Sequence, residues 1–174
     1  NLLSDKLDDN TMTELNYQVD HLKRAPEEVA KDFLQSQNLW KEDQETGGYQ
    51  VKIGSKMFTE QYILVYLFDQ LINGYTDLDT DLKLGLGGTK ICFDAMLSGG
   101  LDLYLEYTGT GFMVILQPST DEINERIASE EKVFNYVRDS FATKHQLQWL
   151  DPLGFNNTYA LMIRKDLSQK KSWH

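Results

Sequence analysis

From residue 49 onward the apolar pattern switches repeatedly between a period of two and a period near 3.6. That alternation constrains the fold more than any other feature of the chain. Tyr49 to Ile53 reads as a strand, followed by a helix from about Glu60 to Leu71 carrying Ile63, Leu64, Leu67, Phe68 and Leu71, with Thr59 as its N-cap. Asp81 to Leu86 is a short strand. Gly87-Gly88-Thr89 then turns into a helix with Ile91, Cys92, Ala95 and Met96, closed by Gly99-Gly100. Leu101 to Tyr107 alternates Leu101, Leu103 and Leu105 with polar partners, as a strand does. Residues 121–142 predict one or two helices, and Gln146–Leu150 and Tyr159–Ile163 the last strands. Repeated strand–helix–strand units imply an α/β three-layer sandwich, a mostly parallel sheet with helices on both faces.

The first forty residues follow a different grammar. Thr11-Met12-Thr13-Glu14 has the form of a capping box, and Met12, Leu15, Val19 and Leu22 continue one apolar stripe. A second helix opens at Pro26 with Glu27 and Glu28 in its first turn and buries Val29, Ala30, Phe33 and Leu34. Two helices this short must pack on something else. Residues 41–48, charged and then Gly-Gly, read as a solvated linker. The expected division is therefore a two-helix segment at 1–40, a linker at 41–48 and a sheet domain at 49–174.

Composition narrows the function. The chain has 174 residues, of which 17 are Lys or Arg and 27 are Asp or Glu, for a net charge of −10. With no basic run, that balance argues against nucleic-acid binding. The single cysteine, Cys92, forms no internal disulfide, and one Cys with three scattered histidines gives no zinc spacing. No stretch is apolar for the roughly 18 residues a membrane helix needs. The N-terminus is not a secretory signal and reads as a start inside a longer gene product or an engineered boundary.

Ligands of parallel sheets bind beyond the carboxyl ends of the strands. Gly54-Ser55-Lys56, Gly85–Thr89 and Tyr107-Thr108-Gly109-Thr110 fall there, whereas Asn156-Asn157-Thr158-Tyr159 precedes a strand. Gly-x-Ser-x-Gly, Walker and Gly-x-Gly-x-x-Gly signatures are all missing. The Gly85–Thr89 loop reads either as a tight turn with Thr89 as N-cap or as a cradle for phosphate, which would make this a small phosphate- or nucleotide-binding module. Asp102, Glu106 and Asp121 have no nearby histidine, Cys92 sits in an apolar stripe as an inert thiol, and a response-regulator-like domain would need acids where Lys56 and Tyr107 stand. No enzyme and no cofactor are expected. What remains is a recognition surface, in which the tyrosines read either as core or surface fillers or as faces that hold a quaternary ammonium by cation–π attraction, roughly 0.5–2 kcal/mol per ring. A cation and hydroxyl donors hold a carboxylate.

At these same residues the chain resembles a known family. Val51–Leu64 (VKIGSKMFTEQYIL), 85–89 (GLGGT), 102–110 (DLYLEYTGT) and 154–161 (GFNNTYAL) are similar to the first lobe of the osmoprotectant-binding proteins of ABC importers. The resemblance implies one lobe of a type II periplasmic-binding-protein fold, binding a quaternary amine such as glycine betaine, choline, carnitine or ergothioneine. Residues 6–34 resemble the family's C-terminal tail, so the order is circularly permuted, or the chain crosses the junction of two tandem binding domains. The resemblance implies that Lys56 approaches the ligand carboxylate or lines the cleft, that Tyr107 and Tyr159 are cage walls, that Thr110 donates to the carboxylate and that Asn157 turns its carbonyl oxygen to the ammonium. The implied partners are a second lobe, which this chain lacks, and an ABC permease. The implied location is extracytoplasmic, held at the membrane by a lipid anchor or a permease fusion. Half a cage binds weakly, and the open cleft face suits dimer formation. Lys56 and Thr110 favour a carboxylate-bearing betaine over choline.

Overall fold

The computed structural model describes residues 2–3, 6–45 and 47–158. Three parallel strands, β1 (Gln50–Gly54), β2 (Asp79–Lys83) and β3 (Leu103–Tyr104), lie in the order β2-β1-β3. β1 is therefore central, paired from Gln50↔Asp79 to Gly54↔Lys83 on one side and at Ile53↔Leu103 and Gly54↔Tyr104 on the other. The carboxyl ends of all three strands share one rim, and the loops at 55–58, 84–88 and 105–107 leave from it.

Helices α1 (Asp9–Asp20) and α2 (Pro26–Ser36) precede the sheet, and α3 (Thr59–Tyr75) links β1 to β2. Leu7, Met12, Leu15, Val29, Ala30 and Leu34 from the N-terminal segment and Ile63, Leu64 and Leu67 from α3 make one buried apolar cluster. The first forty residues and the sheet domain thus share a core within one chain. Leu22, assigned to the stripe by its spacing, is 53% exposed. The connector is exposed but attached: Gln44 N–H donates to Asn73 O at 2.8 Å, Gly47 N–H donates to Asp77 O at 2.6 Å, and Lys41 Nζ stands 3.8 Å from the Tyr75 ring centre.

Beyond α4 (Thr89–Leu97) and β3, the chain forms a helical turn α5 (Thr108–Thr110) that runs into a π-helical segment (Gly111–Leu116). Helices α6 (Thr120–Arg126) and α7 (Glu130–His145) follow, so the 121–142 region is two helices. Phe112, Val137 and Phe141 form a second core with Phe93, Leu147 and Trp149 packed around it.

Several expected boundaries move, each for a local reason. α1 is capped by Asp8, whose carboxylate accepts Thr11 N–H at 2.7 Å, rather than by Thr11. The Thr11 hydrogen bonds hold the Asp8 carboxyl below the usual carboxylate range. Thr59 opens α3 as its first residue and donates its hydroxyl to Asp20 Oδ1 at 2.6 Å, while Phe58 is the cap position. Gly88, not Thr89, caps α4. Gln146–Leu150 is not a strand: Gln146 adopts φ 56° and ends α7, Leu147 N–H returns to Phe141 O, and Leu147 and Trp149 pack on the second core. Their alternation serves packing on an aromatic cluster, which has the same period as a ladder. The strand expected at Tyr159–Ile163 lies outside the described residues.

Gly54 closes the central strand where Leu101, 2% exposed, leaves no room: an added Cβ would collide with the Leu101 Cδ1. Gly54→Ala is expected to lose about 1–3 kcal/mol of stability by overpacking, measured by urea denaturation. A variant as stable as the wild type would show that Leu101 yields freely.

Candidate functional site

The rim of the sheet is organised by a buried ion pair. Lys56 follows β1 by two residues and is 2% exposed; its ammonium pairs with Glu106 Oε1, whose side chain is 5% exposed. The same Glu106 oxygen accepts the backbone N–H of Tyr107 at 2.8 Å. A long contact of 3.5 Å from Lys56 N–H to Gln61 Oε1 ties the loop to α3. Lys56 Nζ also stands 4.8 Å from the centre of the Tyr107 ring. A buried charge is tolerable only when paired, and here the pairing orients the tyrosine as well.

Tyr107 is half-buried and fixed at its other end too. Its hydroxyl donates to Glu60 Oε1 at 2.6 Å and accepts from Gln61 Nε2 at 3.1 Å. Burial, and then the hydrogen bond to Glu60, push its phenol well above the usual tyrosine range. Asn157, exposed, donates Nδ2 to the same Glu60 Oε1 at 3.0 Å. One carboxylate oxygen therefore gathers two residues that lie far apart in sequence. Thr110 is half-buried at the end of α5, whose N-cap is Tyr107, and so lies one helical turn from it. Tyr159 lies outside the described residues. The structure brings Lys56, Tyr107 and Asn157 into one linked network, with Thr110 beside it.

Three members of the network, Glu60, Gln61 and Glu106, are not among the binding residues that the sequence suggests, and Glu106 stands out there only as a carboxylate without a nearby histidine. The available signal was its place directly before Tyr107, where a carboxylate can take the next residue's N–H.

The Gly85–Thr89 loop is a turn. Gly85 N–H donates to Ser55 Oγ at 2.8 Å and Leu86 N–H to Ser55 O at 3.0 Å, so these donors face the protein. Gly85 has φ 65° and Gly87 φ 128°, backbone that glycine adopts without strain. Cys92 is fully buried, and burial raises its thiol above the usual range. Among the described residues there is no group of three or more His, Cys, Asp or Glu able to hold a metal, and no helix is long and apolar enough to cross a membrane.

The rim of the parallel sheet thus holds a fixed tyrosine flanked by carboxylates and amides. A family described as the substrate binding domain of ABC-type glycine betaine transport system matches residues 1–36 and 49–173, and the chain belongs to that family of non-catalytic binding proteins. The carnitine transport binding protein OpuCC of Listeria monocytogenes is 32% identical over 121 residues, 69% of this chain and 37% of that protein. The ergothioneine transport permease/ergothioneine binding protein EgtU of Helicobacter pylori is 32% identical over 120 residues, 68% of this chain and 20% of its own length. The solved structure of apo YehZ from Escherichia coli superposes with a TM-score of 0.57 at 30% identity, covering 70% of this chain and 41% of that one. The fold is accordingly that of a type II periplasmic binding protein. The chain spans 37% of the length of OpuCC and 38% of glycine betaine-binding protein YehZ.

Two outcomes follow from the network. Lys56→Met strands Glu106 as a buried unpaired carboxylate and should cost about 3–5 kcal/mol in chemical denaturation. Lys56→Met combined with Glu106→Gln, which keeps an acceptor for Tyr107 N–H, should recover more than half of that loss. Equal destabilisation of the single and double variants would refute the pairing account. Burial also raises the Tyr104 phenol. A group whose folded pKa lies above its unfolded value stabilises fully below the unfolded value, and that contribution is lost as pH rises. Stability should therefore fall as pH climbs past about 10, the ordinary tyrosine value. Ultraviolet titration should show Tyr104 and Tyr107 ionising only at still higher pH, with Tyr66 and Tyr136 also displaced upward.

Proposed function

We propose that this chain is the solute-binding part of an ABC importer for quaternary-ammonium compatible solutes such as glycine betaine, carnitine or choline. Tyr107 carries the reading. Its ring follows the carboxyl end of β3 and is held from behind by Lys56 and at its hydroxyl by Glu60. A methylated ammonium has no N–H to donate, so a rigid aromatic face near a carboxylate is the chemistry that suits it. Lys56 lines this wall from within, Thr110 offers its hydroxyl to a carboxylate, Asn157 adds an amide, and Tyr159 supplies a second ring.

Residues 49–174 then act as the first lobe, and residues 1–40 as the family's C-terminal tail placed ahead of it. Both segments fall within the family match, at 1–36 and 49–173. The facing cage wall comes from a second lobe, which closes over the solute and excludes water. A permease partner and an extracytoplasmic, membrane-associated setting accord with the transport names of the relatives, among them a permease/binding protein.

With half a cage the cation stays half solvated, so each ring contributes near the low end of its range. NMR titration of residues 1–174 with glycine betaine, choline, carnitine and ergothioneine should give a dissociation constant near millimolar, about −4 kcal/mol, or weaker. Tyr107→Ala and Tyr159→Ala should each weaken binding further. Affinity unchanged in both variants rejects the site, and a micromolar constant for the monomer rejects the half-cage account.

A further inference from the structure

Asp9 belongs to α1, 147 residues from Asn156 in sequence, yet its Oδ1 accepts the Asn156 backbone N–H at 2.6 Å. Asn157, the next residue, gives its side-chain amide to Glu60 Oε1, which also holds the Tyr107 hydroxyl. Two carboxylates therefore grip adjacent residues of one segment, Asp9 by the main chain and Glu60 by the side chain. The same segment meets the N-terminal residues twice more. Gly154 has φ 113°, and a Cβ there would lie 3.0 Å from Leu7 O. Leu153 and Phe155 pack against the cluster that contains Leu3, Leu7 and Met12.

One side of α1 borders a small cavity next to the site. Asp9, Met12, Thr13 and Asn16 fall at i, i+3, i+4 and i+7, one side of a helix. With Glu60 and Asn157 they line a cavity of about 270 Å³. Leu153 and Phe155 anchor the segment by packing, but Asn156 and Asn157 border the cavity, so there the two hydrogen bonds fix the chain.

We infer that Asp9 is a positioning residue of the solute site: by holding the Asn156 N–H it places Asn157, and through Glu60 the hydroxyl of Tyr107. The inference rests on the proposed site and adds the N-terminal helix to the binding machinery. Coupling of this kind is reciprocal, so solute binding must in turn steady α1.

The experiment compares wild type, Asp9→Ala, Asp9→Asn and Gly154→Ala in the full 174-residue chain. The asparagine keeps an acceptor for Asn156 N–H while removing the charge. Gly154→Ala leaves Asp9 intact but drives the segment off Leu7 O. NMR titration with glycine betaine and choline should show affinity weakened about five- to tenfold in Asp9→Ala and Gly154→Ala, and within about twofold of wild type in Asp9→Asn. Hydrogen exchange across 9–20 should slow on adding solute in wild type and Asp9→Asn but not in Asp9→Ala. Without any solute, Asp9→Ala should move the Asn157 side-chain amide and Tyr107 ring resonances. Resonances that stay put overturn the inference even where wild type binds none of the solutes, an outcome that rejects the proposed function separately. Wild-type affinity in Asp9→Ala, or an Asp9→Asn as weak as Asp9→Ala, overturns it as well.

Discussion

A lysine ammonium held under the rim of a parallel sheet sets the terms for everything around it. Lys56 is 2% exposed, so its charge must be answered inside the protein, and Glu106 answers it. The β3 ladder ends at Tyr104, opposite the last residue of β1, and two residues on Glu106 meets Lys56. Tyr107 follows at once, its N–H taken by the same carboxylate and its ring set beside the ammonium. An apolar pair at 56 and 106 would fill the volume at less desolvation cost, but it would leave the tyrosine's main chain without its acceptor. The buried pair is thus best understood as an aiming device whose product is a ring of fixed position.

The second constraint is distance in sequence. The N-terminal helices form no core alone, and α3 supplies the apolar face they need. Because α3 begins at the rim, with Glu60 in its first turn, packing α1 and α2 on α3 also brings α1 alongside Glu60 and the 155–157 segment. Thr59 to Asp20 and Asn156 to Asp9 are polar contacts at the two ends of α1, and both tie it to segments that carry site residues. Stability and site geometry therefore draw on the same interface.

This arrangement separates what can be read along the chain from what cannot. The strand–helix alternation is local, and it locates β1, α3, β2 and α4 to within a few residues. So are the buried positions of α2, since Val29, Ala30, Phe33 and Leu34 lie on one helical face. Helix starts are less legible because a cap is chosen by competition: Asp8 and Thr11 both suit the role, and the carboxylate takes it. Gln146–Leu150 shows the opposite ambiguity, a period of two that packs two side chains on an aromatic cluster without pairing a backbone. In the site, a loop tyrosine and a loop asparagine are visible as candidates. Their common partner is not, because Glu60 meets Tyr107 across 47 residues and Asn157 across 97.

The electrostatics of the site follow from the same pairing. Lys56 and Glu106 cancel each other, whereas Glu60, at the ring's hydroxyl, has its Oε1 engaged by two neutral donors. Neutral donors stabilise a carboxylate without removing its charge, so the rim keeps a negative field next to an aromatic face. The chain as a whole carries −10, which raises the concentration of cations near its surface before any contact forms. At physiological salt that long-range part fades within about 8 Å, whereas the ring and Glu60 act at contact distance and are screened far less once water is excluded. Attraction at a distance therefore favours any cation, and only the short-range geometry discriminates. A small hydrated cation gains little from a ring face, while a methylated ammonium, already poorly hydrated, loses little on meeting one. In the proposed site, discrimination of that kind would rest on a ring held in place, and Glu106, paired with Lys56, fixes the main chain that carries Tyr107.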